Sequence, residues 1–257
     1  MTLRILVCVK RVPAPGTRIN VTADGQAVDT THLGFTTSPH EECAVEAAVH
    51  LVEANGGEAT VLTLGPQEAE EQLRYAVSVG MIRAVLLPIE GPDPDPQATA
   101  AAIVNAVREL EAADGRFDLL LFGNESADAG GFQVGIRVAH ALDRPMVNGA
   151  KGIDLIGEDV HVRREAESGQ ETYTLPLPAA VGVKEGINLP RYPTMKGRLA
   201  SKRVDVRRLD VALTPGGLRT VRLERPAERA SRTVVLGHGP AAAPAVVDLF
   251  QELGVLS

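Results

Sequence analysis

The stretch Asp118-Leu119-Leu120-Leu121-Phe122-Gly123-Asn124-Glu125-Ser126-Ala127-Asp128-Ala129-Gly130-Gly131-Phe132-Gln133-Val134-Gly135 reads, in order, as a strand, a loop and the start of a helix. Its first residues are apolar without alternation, the pattern of a strand buried on both faces. The middle is small and Gly-rich, and apolar residues then recur at helical spacing over about 132–142. A strand that runs through a short loop into a helix is the repeating unit of a parallel α/β sheet.

The same unit recurs on the N-terminal side. Residues 4–9, 58–63 and 83–88 are short continuous runs rich in Val, Leu, Ile and Ala, which predict three more buried strands. The helix after the first has a defined start. Ser38-Pro39-His40-Glu41 supplies an N-cap serine, a proline at the first helical position and a glutamate three residues after the cap. Ala44, Val45, Ala48 and Leu51 follow at helical spacing, and Asn55-Gly56-Gly57 ends the run. Two further helices are predicted, over about 67–79 before Gly80 and over about 97–112 after Pro92-Asp93-Pro94-Asp95-Pro96. An insert at 18–29, with Asp24-Gly25 between Val21 and Val28, predicts a small hairpin.

Beyond Pro145 the pattern turns antiparallel. Residues 159–165 and 171–175 flank Ser168-Gly169 as a second hairpin, and 179–184 reads as a buried strand. The expected fold is therefore α/β: a doubly wound, mainly parallel, Rossmann-like sheet of the adenine-nucleotide-binding kind, with antiparallel additions. We divide the chain into this domain, 1–209, and a C-terminal arm, 210–257, whose last helix covers about 245–253. Residues 214–244 have weak periodicity. A stretch that long without its own core is improbable on a lone chain, so it is expected to lie across a partner.

Composition narrows the function. Apolar residues make up 44% and charged residues 23% of the 257, as in folded globular proteins rather than disordered ones. No apolar run is long enough for a membrane span, and Met1-Thr2-Leu3-Arg4-Ile5-Leu6-Val7 reads as a strand rather than a signal peptide, so a cytoplasmic setting is expected. Two cysteines, Cys8 and Cys43, suit free thiols. The net charge of −7 argues against nucleic-acid binding. Charge is unevenly spread, however: Arg191, Lys196, Arg198, Lys202, Arg203, Arg207 and Arg208 face a single acid, Asp205, in their window. Such a stretch is either a solvated face or a contact for an acidic surface or a phosphate.

Common catalytic signatures are missing. The sequence contains no P-loop, no G-x-G-x-x-G after the first strand, no G-x-S-x-G and no H-E-x-x-H, and its six histidines are scattered away from metal-ligand spacing. Neither a catalytic residue nor a metal site is expected. What remains is a ligand crevice. In open α/β sheets ligands sit beyond the carboxyl ends of the strands, where strand order switches direction. Three segments leave such ends: Cys8-Val9-Lys10, Leu64-Gly65-Pro66 and the loop from Gly123. Backbone N–H groups at the start of the helix after Gly130-Gly131 could hold a phosphate without a lysine. The same loop could also be an ordinary strand-to-helix connection.

At these loops the chain resembles electron-transfer flavoprotein β subunits. Val7-Cys8-Val9-Lys10-Arg11-Val12-Pro13 is similar to that family's opening strand and turn. The first helix from Ser38-Pro39 through Ala44-Val45-Glu46, the loop Leu64-Gly65-Pro66, and the nucleotide loop with Asp128, Gln133 and Gly135 follow in the family's order. Val183-Lys184-Glu185-Gly186-Ile187-Asn188-Leu189-Pro190-Arg191-Tyr192-Pro193-Thr194-Met195 resembles its signature and recognition loop.

The resemblance implies a heterodimer with an α subunit that holds a redox-active FAD. It implies AMP in this subunit, against Cys8, Ser38, Pro39, His40, Glu41, Leu64 and the loop from Gly123 to Val134. It further implies docking of flavin dehydrogenases, such as the acyl-CoA dehydrogenases of fatty acid β-oxidation, on a loop reaching from 183 to 203. Arg191, Tyr192, Pro193, Thr194, Met195 and Lys196 form its contact residues. Met195 would be the apolar anchor, an adaptable side chain suited to several partners, and electrons would pass on to a quinone oxidoreductase. Met195 could instead be ordinary packing, and Arg191 and Tyr192 could instead fix the loop's base.

Some positions depart from the family. Ala14-Pro15-Gly16 stands where many relatives carry an acid, and Gly130-Gly131-Phe132 replaces more acidic and polar residues, which leaves the nucleotide's identity open. Three other readings make different demands on the sequence. A bifurcating relative would hold FAD in this subunit and take electrons from NADH; this loop shares with that type only Asp128 and Gln133-Val134. A stand-alone adenine-nucleotide module of the stress-protein kind would need neither the arm nor the Pro-Arg-Tyr loop. An ATP-pyrophosphatase-like enzyme would need Ser-Gly-Gly after the first strand, where Lys10-Arg11-Val12-Pro13 stands.

Overall fold

The computed structural model describes residues 2–227 and 233–256. In chain order the elements are β1 (Arg4–Val9), β2 (Val12–Pro13), β3 (Phe35–Thr36), α1 (Pro39–Asn55), β4 (Glu58–Gly65), α2 (Glu70–Ser78), β5 (Arg83–Pro88), α3 (Pro96–Asp114), β6 (Leu119–Gly123) and α4 (Val134–Ala141). Then follow β7 (Met146–Ile156), β8 (Asp159–Ala166), β9 (Gly169–Pro176), β10 (Ala179–Val183), α5 (Met195–Arg203), β11 (Val206–Arg208) and α6 (Ala243–Glu252). A nine-stranded sheet runs β11-β5-β4-β1-β6-β10-β7-β8-β9. Its pairs are parallel from β11 to β7 and antiparallel between β7, β8 and β9. This is the mainly parallel, doubly wound α/β sheet that the strand runs predict.

Continuous apolar strands are explained by two cores. Ile5, Val7, Leu119, Leu121, Val181 and Val183 point to one face, where α1 and α2 contribute Ala44, Ala48, Leu73 and Ala76. Leu6, Leu62, Leu120, Phe122 and Ala180 point to the other, beneath Ile103, Val107 and Leu110 of α3 and Val138 of α4. Successive residues of one strand therefore enter different cores, and the buried Thr63 of β4 is accommodated by donating its hydroxyl to the Val9 carbonyl at 2.8 Å.

Helix α1 starts where the sequence places it. Glu41 reaches back to accept the Ser38 N–H at 3.2 Å, the reciprocal half of a capping box. Helix α3 is longer than its periodicity suggests because Asp95 caps it, accepting from the Gln97 and Ala98 N–H groups at 2.7 and 3.1 Å. The predicted hairpin at 18–29 amounts to one bridge, Val21 to Val28.

Besides the two-residue strands β2 and β3, three elements were not foreseen. Strand β7 breaks alternation at Asn148-Gly149, where Gly149 has φ +77° and the register slips between Ala150 and Gly152. A bulge of this kind hides the period-2 signal. Strand β11 is a three-residue edge strand, too short to read. The third is α5: the basic stretch read as the end of a loop is helical from Met195 onward.

The chain separates into two compact units, Met1–Leu223 and Glu224–Ser257. Within the first, the segment after β11 returns over the body, and the Leu223 N–H donates to the Gly25 carbonyl at 2.8 Å. In the second, α6 buries none of its residues, and Val247, Phe250 and Leu253 stand exposed. Leu121→Ala should cost about 2–5 kcal/mol, the usual penalty for emptying a fully buried leucine site, with two-state urea unfolding of the purified chain as the measurement.

Candidate functional site

Strand order fixes where a ligand can sit. From β1 the chain winds outward to β4 and β5 with α1 and α2 on one face, then crosses by α3 to β6 on the other side of β1. The switch point lies between β1 and β6, and the loops leaving their carboxyl ends diverge there to leave a crevice. Lys10 follows β1, the residues after Gly123 follow β6, and the start of α1 lies between.

The crevice is tightly made. Gly123 lies so close to α1 that a Cβ there would meet Glu41 Cγ at 2.6 Å and the Glu41 nitrogen at 3.2 Å. The Ser38 hydroxyl donates to the Glu125 carbonyl at 3.5 Å. Lys10 Nζ bridges two loops, reaching Asp128 Oδ2 at 2.6 Å and Asp93 Oδ2 at 2.9 Å. Burial works against the Lys10 charge, but Asp93 and Asp128 outweigh it and raise its pKa. Burial pushes on Asp128 in the other sense, and Lys10 overcomes that to hold it below the ordinary carboxylate range.

Glu41 is different. It is buried, and desolvation pushes its pKa up to about 7 against the opposing pull of backbone N–H groups of Lys10 and Ser38, the Ser38 hydroxyl and the Lys10 charge.

The loop after β6 also supplies donors. Gly130 and Phe132 both have φ +54°, which kinks the chain just before α4. Among the described residues the N–H groups of 131–134 make no hydrogen bond within the chain, so a short run of amides stands ready at the start of α4. Gln133 precedes the helix and its side-chain carbonyl accepts from Arg137 at 3.1 and 3.2 Å. The structure thus brings Ser38, His40 and Glu41 at the start of α1 against Gly123 and Glu125, and Lys10 against Asp128. Cys8 and Leu64 contribute backbone at the floor of the crevice, while their side chains turn into the core beneath α3 and α4. Phe132 points outward, half exposed.

A second feature lies beside the crevice. After β10, residues 184–194 run along α1 and lead into α5. His40 joins the two features: its Nδ1 accepts the Glu185 N–H at 2.8 Å, which leaves Nε2 to carry the proton toward Glu125 Oε1 at 3.4 Å. Asn188 Nδ2 donates to the Cys43 carbonyl at 3.0 Å. Arg191 turns inward, binding Glu46 and Glu53. Its neighbours turn outward: Leu189 is 89% exposed, Tyr192 90%, Met195 74% and Leu199 55%. All four lie within residues 189–199, a stretch that also carries Lys196 and Arg198 and is followed by Lys202 and Arg203.

Thr194 caps α5 by accepting the Gly197 N–H at 3.0 Å, so Met195 is the first residue of a helix rather than a loop tip. Gly197 is needed where α5 crosses α2, since a Cβ there would overlap the Ser78 carbonyl oxygen. Leu189 and Leu199 went unnoticed in the sequence. Leu199 had a signal, being four residues after Met195 and hence on the same helical face; Leu189 had none.

These features define a Rossmann-like α/β protein with a crevice at its switch point and a braced, exposed apolar patch beside it. The electron transfer flavoprotein domain model matches residues 27–214. The electron transfer flavoprotein subunit beta of Bacillus subtilis is 34% identical over 68% of this chain and 66% of its own length. That of Syntrophomonas wolfei is 30% identical over 90% and 89% respectively. Protein FixA of Azorhizobium caulinodans is 32% identical over 79% and 74%. The chain belongs to the electron transfer flavoprotein family, among its β subunits. No described helix is long and apolar enough to cross a membrane.

The raised pKa of Glu41 sets a sign. The folded state holds the proton more tightly than the unfolded chain, so the stability Glu41 contributes is complete below its ordinary value and lost as pH rises through about 7. Glu41→Gln should therefore gain about 2 kcal/mol relative to the parent on going from pH 5 to pH 8. Paired urea titrations at the two pH values measure it; equal differences at both would show that Glu41 does not titrate in this window.

Proposed function

We propose that this chain is the β subunit of a heterodimeric electron-transfer flavoprotein. In this reading it cradles a structural AMP at the β1/β6 crevice and offers the Leu189–Tyr192–Met195–Leu199 patch to flavin dehydrogenases of the acyl-CoA dehydrogenase type. The patch carries the reading. Four large apolar side chains held in water on a braced segment have no role in the fold of this chain, whereas an apolar anchor ringed by basic residues suits an apolar pocket in an acidic surface. Met195 is unbranched and polarizable, which lets one surface fit several partners.

The crevice fits AMP by its own chemistry. A phosphate would be met by the amides of 131–134 and the start of α4, with Lys10 neutralising Asp128 so that the loop does not repel it. Small residues at Ala127, Ala129, Gly130 and Gly131 leave room for a nucleotide. The redox chemistry belongs to an FAD held by the α subunit, from which electrons go to a quinone oxidoreductase. What this chain contributes is docking and a rigid frame, in a cytoplasmic setting. The arm at 210–257, whose terminal helix α6 exposes Val247 and Phe250 with Leu253 just beyond it, supports a second subunit as the surface that covers it.

Two measurements test this. Heat-released nucleotide from the complex co-expressed with its α partner should be AMP, with one FAD per heterodimer. Two FAD and no AMP would replace this reading by the bifurcating one, with NADH as donor. Met195→Glu should cut reduction of the complex by an acyl-CoA dehydrogenase by about a hundredfold or more while its FAD content stays at the parent level. Undiminished transfer would remove Met195 from the docking surface.

A further inference from the structure

The residues that face the 184–194 segment from α1 are His40, Cys43, Glu46, His50 and Glu53, spaced three or four apart along one stripe of that helix. The segment uses nearly every rung: Glu185 on His40, Asn188 on Cys43, and Arg191 on Glu46 and Glu53 together. The last contact is the densest. Glu46 is almost wholly buried, and it accepts both the Arg191 N–H, at 3.0 Å, and the Arg191 Nε–H, at 2.9 Å, with His50 Nε2 at 2.7 Å from the same carboxylate. The outer edge of the guanidinium meets both oxygens of Glu53, at 2.6 and 2.9 Å. A planar fork gripped on two edges by two carboxylates cannot rotate, which a lysine could not reproduce.

We propose that Arg191, clamped between Glu46 and Glu53, is the positioning residue of the docking surface. The inference rests on the docking reading above. Its logic is one of alternation: in extended chain, turning Arg191 inward turns Tyr192 outward. Left to itself, an apolar cluster in water lowers its free energy by folding down onto the body. Pro190 and Pro193 limit the backbone on either side of the clamp, and Thr194 then starts α5, in which Met195 and Leu199, four apart, share a helical face. The clamp thus prepays part of the ordering that binding would otherwise demand, and its loss should appear in partner affinity rather than in electron transfer within the bound complex.

Glu53 is the position at which to test it, because its carboxylate is half exposed at the end of α1 and it lies outside the patch and the crevice. In the FAD-loaded heterodimer, Glu53→Gln should raise the KM for an acyl-CoA dehydrogenase roughly three- to tenfold, with kcat, FAD content and photoreduction of the flavin unchanged. Amides of 186–199 should exchange hydrogen faster, and Glu53→Asp should recover most of the KM. Parent-like KM in Glu53→Gln, where Met195→Glu still blocks transfer, overturns the clamp and leaves the docking surface standing. Parent-like kinetics in both variants overturn the docking reading and the clamp with it. A parallel fall in kcat and thermal stability in Glu53→Gln would mark the pair as an ordinary structural contact and likewise overturn the proposal.

Discussion

Burial of the central strands on both faces is the constraint on which the rest of the structure depends. A strand covered by two cores has no water to satisfy its backbone, so every N–H and C=O must find a neighbouring strand. Parallel neighbours require crossover connections, and the right-handed sense of such crossovers places α1 and α2 on one face and α3 on the other. That division creates the switch point between β1 and β6. It also gathers Lys10, Ser38, Glu41 and the loop from Gly123, which are far apart in the chain, at one end of the sheet.

Around that crevice, close approach is maintained by absence as much as by contact. Gly123 admits the start of α1 because it has no Cβ, and the approach buries Glu41. Its carboxyl then serves as both a cap for α1 and a protonatable group within the wall of the crevice. Lys10 ties together the loop before α3 and the loop after β6 through Asp93 and Asp128. The same helix that lines the crevice with its first turn carries the 184–194 segment along its flank. His40 touches both, so α1 is the mechanical link between the two features.

Much of this was legible before any coordinates. Period, caps and breakers located α1, α2, α3 and four buried strands to within a few residues, because an apolar run in a two-sided core has no freedom to be anything else. Resemblance pointed to the start of α1 and the loop after β6, which the fold brings into contact. It did not show that the Cys8 and Leu64 side chains turn away into the core, since side-chain direction depends on which of two faces a strand residue enters. Strand β7 was hidden by a bulge at Gly149. Helix α5 was hidden by composition: Met195-Lys196-Gly197-Arg198 has a glycine and few apolar residues, and its helical form is stabilised by the Thr194 cap and by packing on α2.

By itself, then, the sequence determined the layered α/β architecture and the start of α1. These follow from short-range rules, in which hydrophobic period and capping chemistry act over a turn or two of chain. Tertiary structure decided which of Arg191 and Tyr192 faces inward, and that Glu46 and Glu53 hold the 184–194 segment. Those pairings span 138 and 145 residues of chain. No local pattern encodes them, because they exist only once α1 and the end of β10 have been packed side by side.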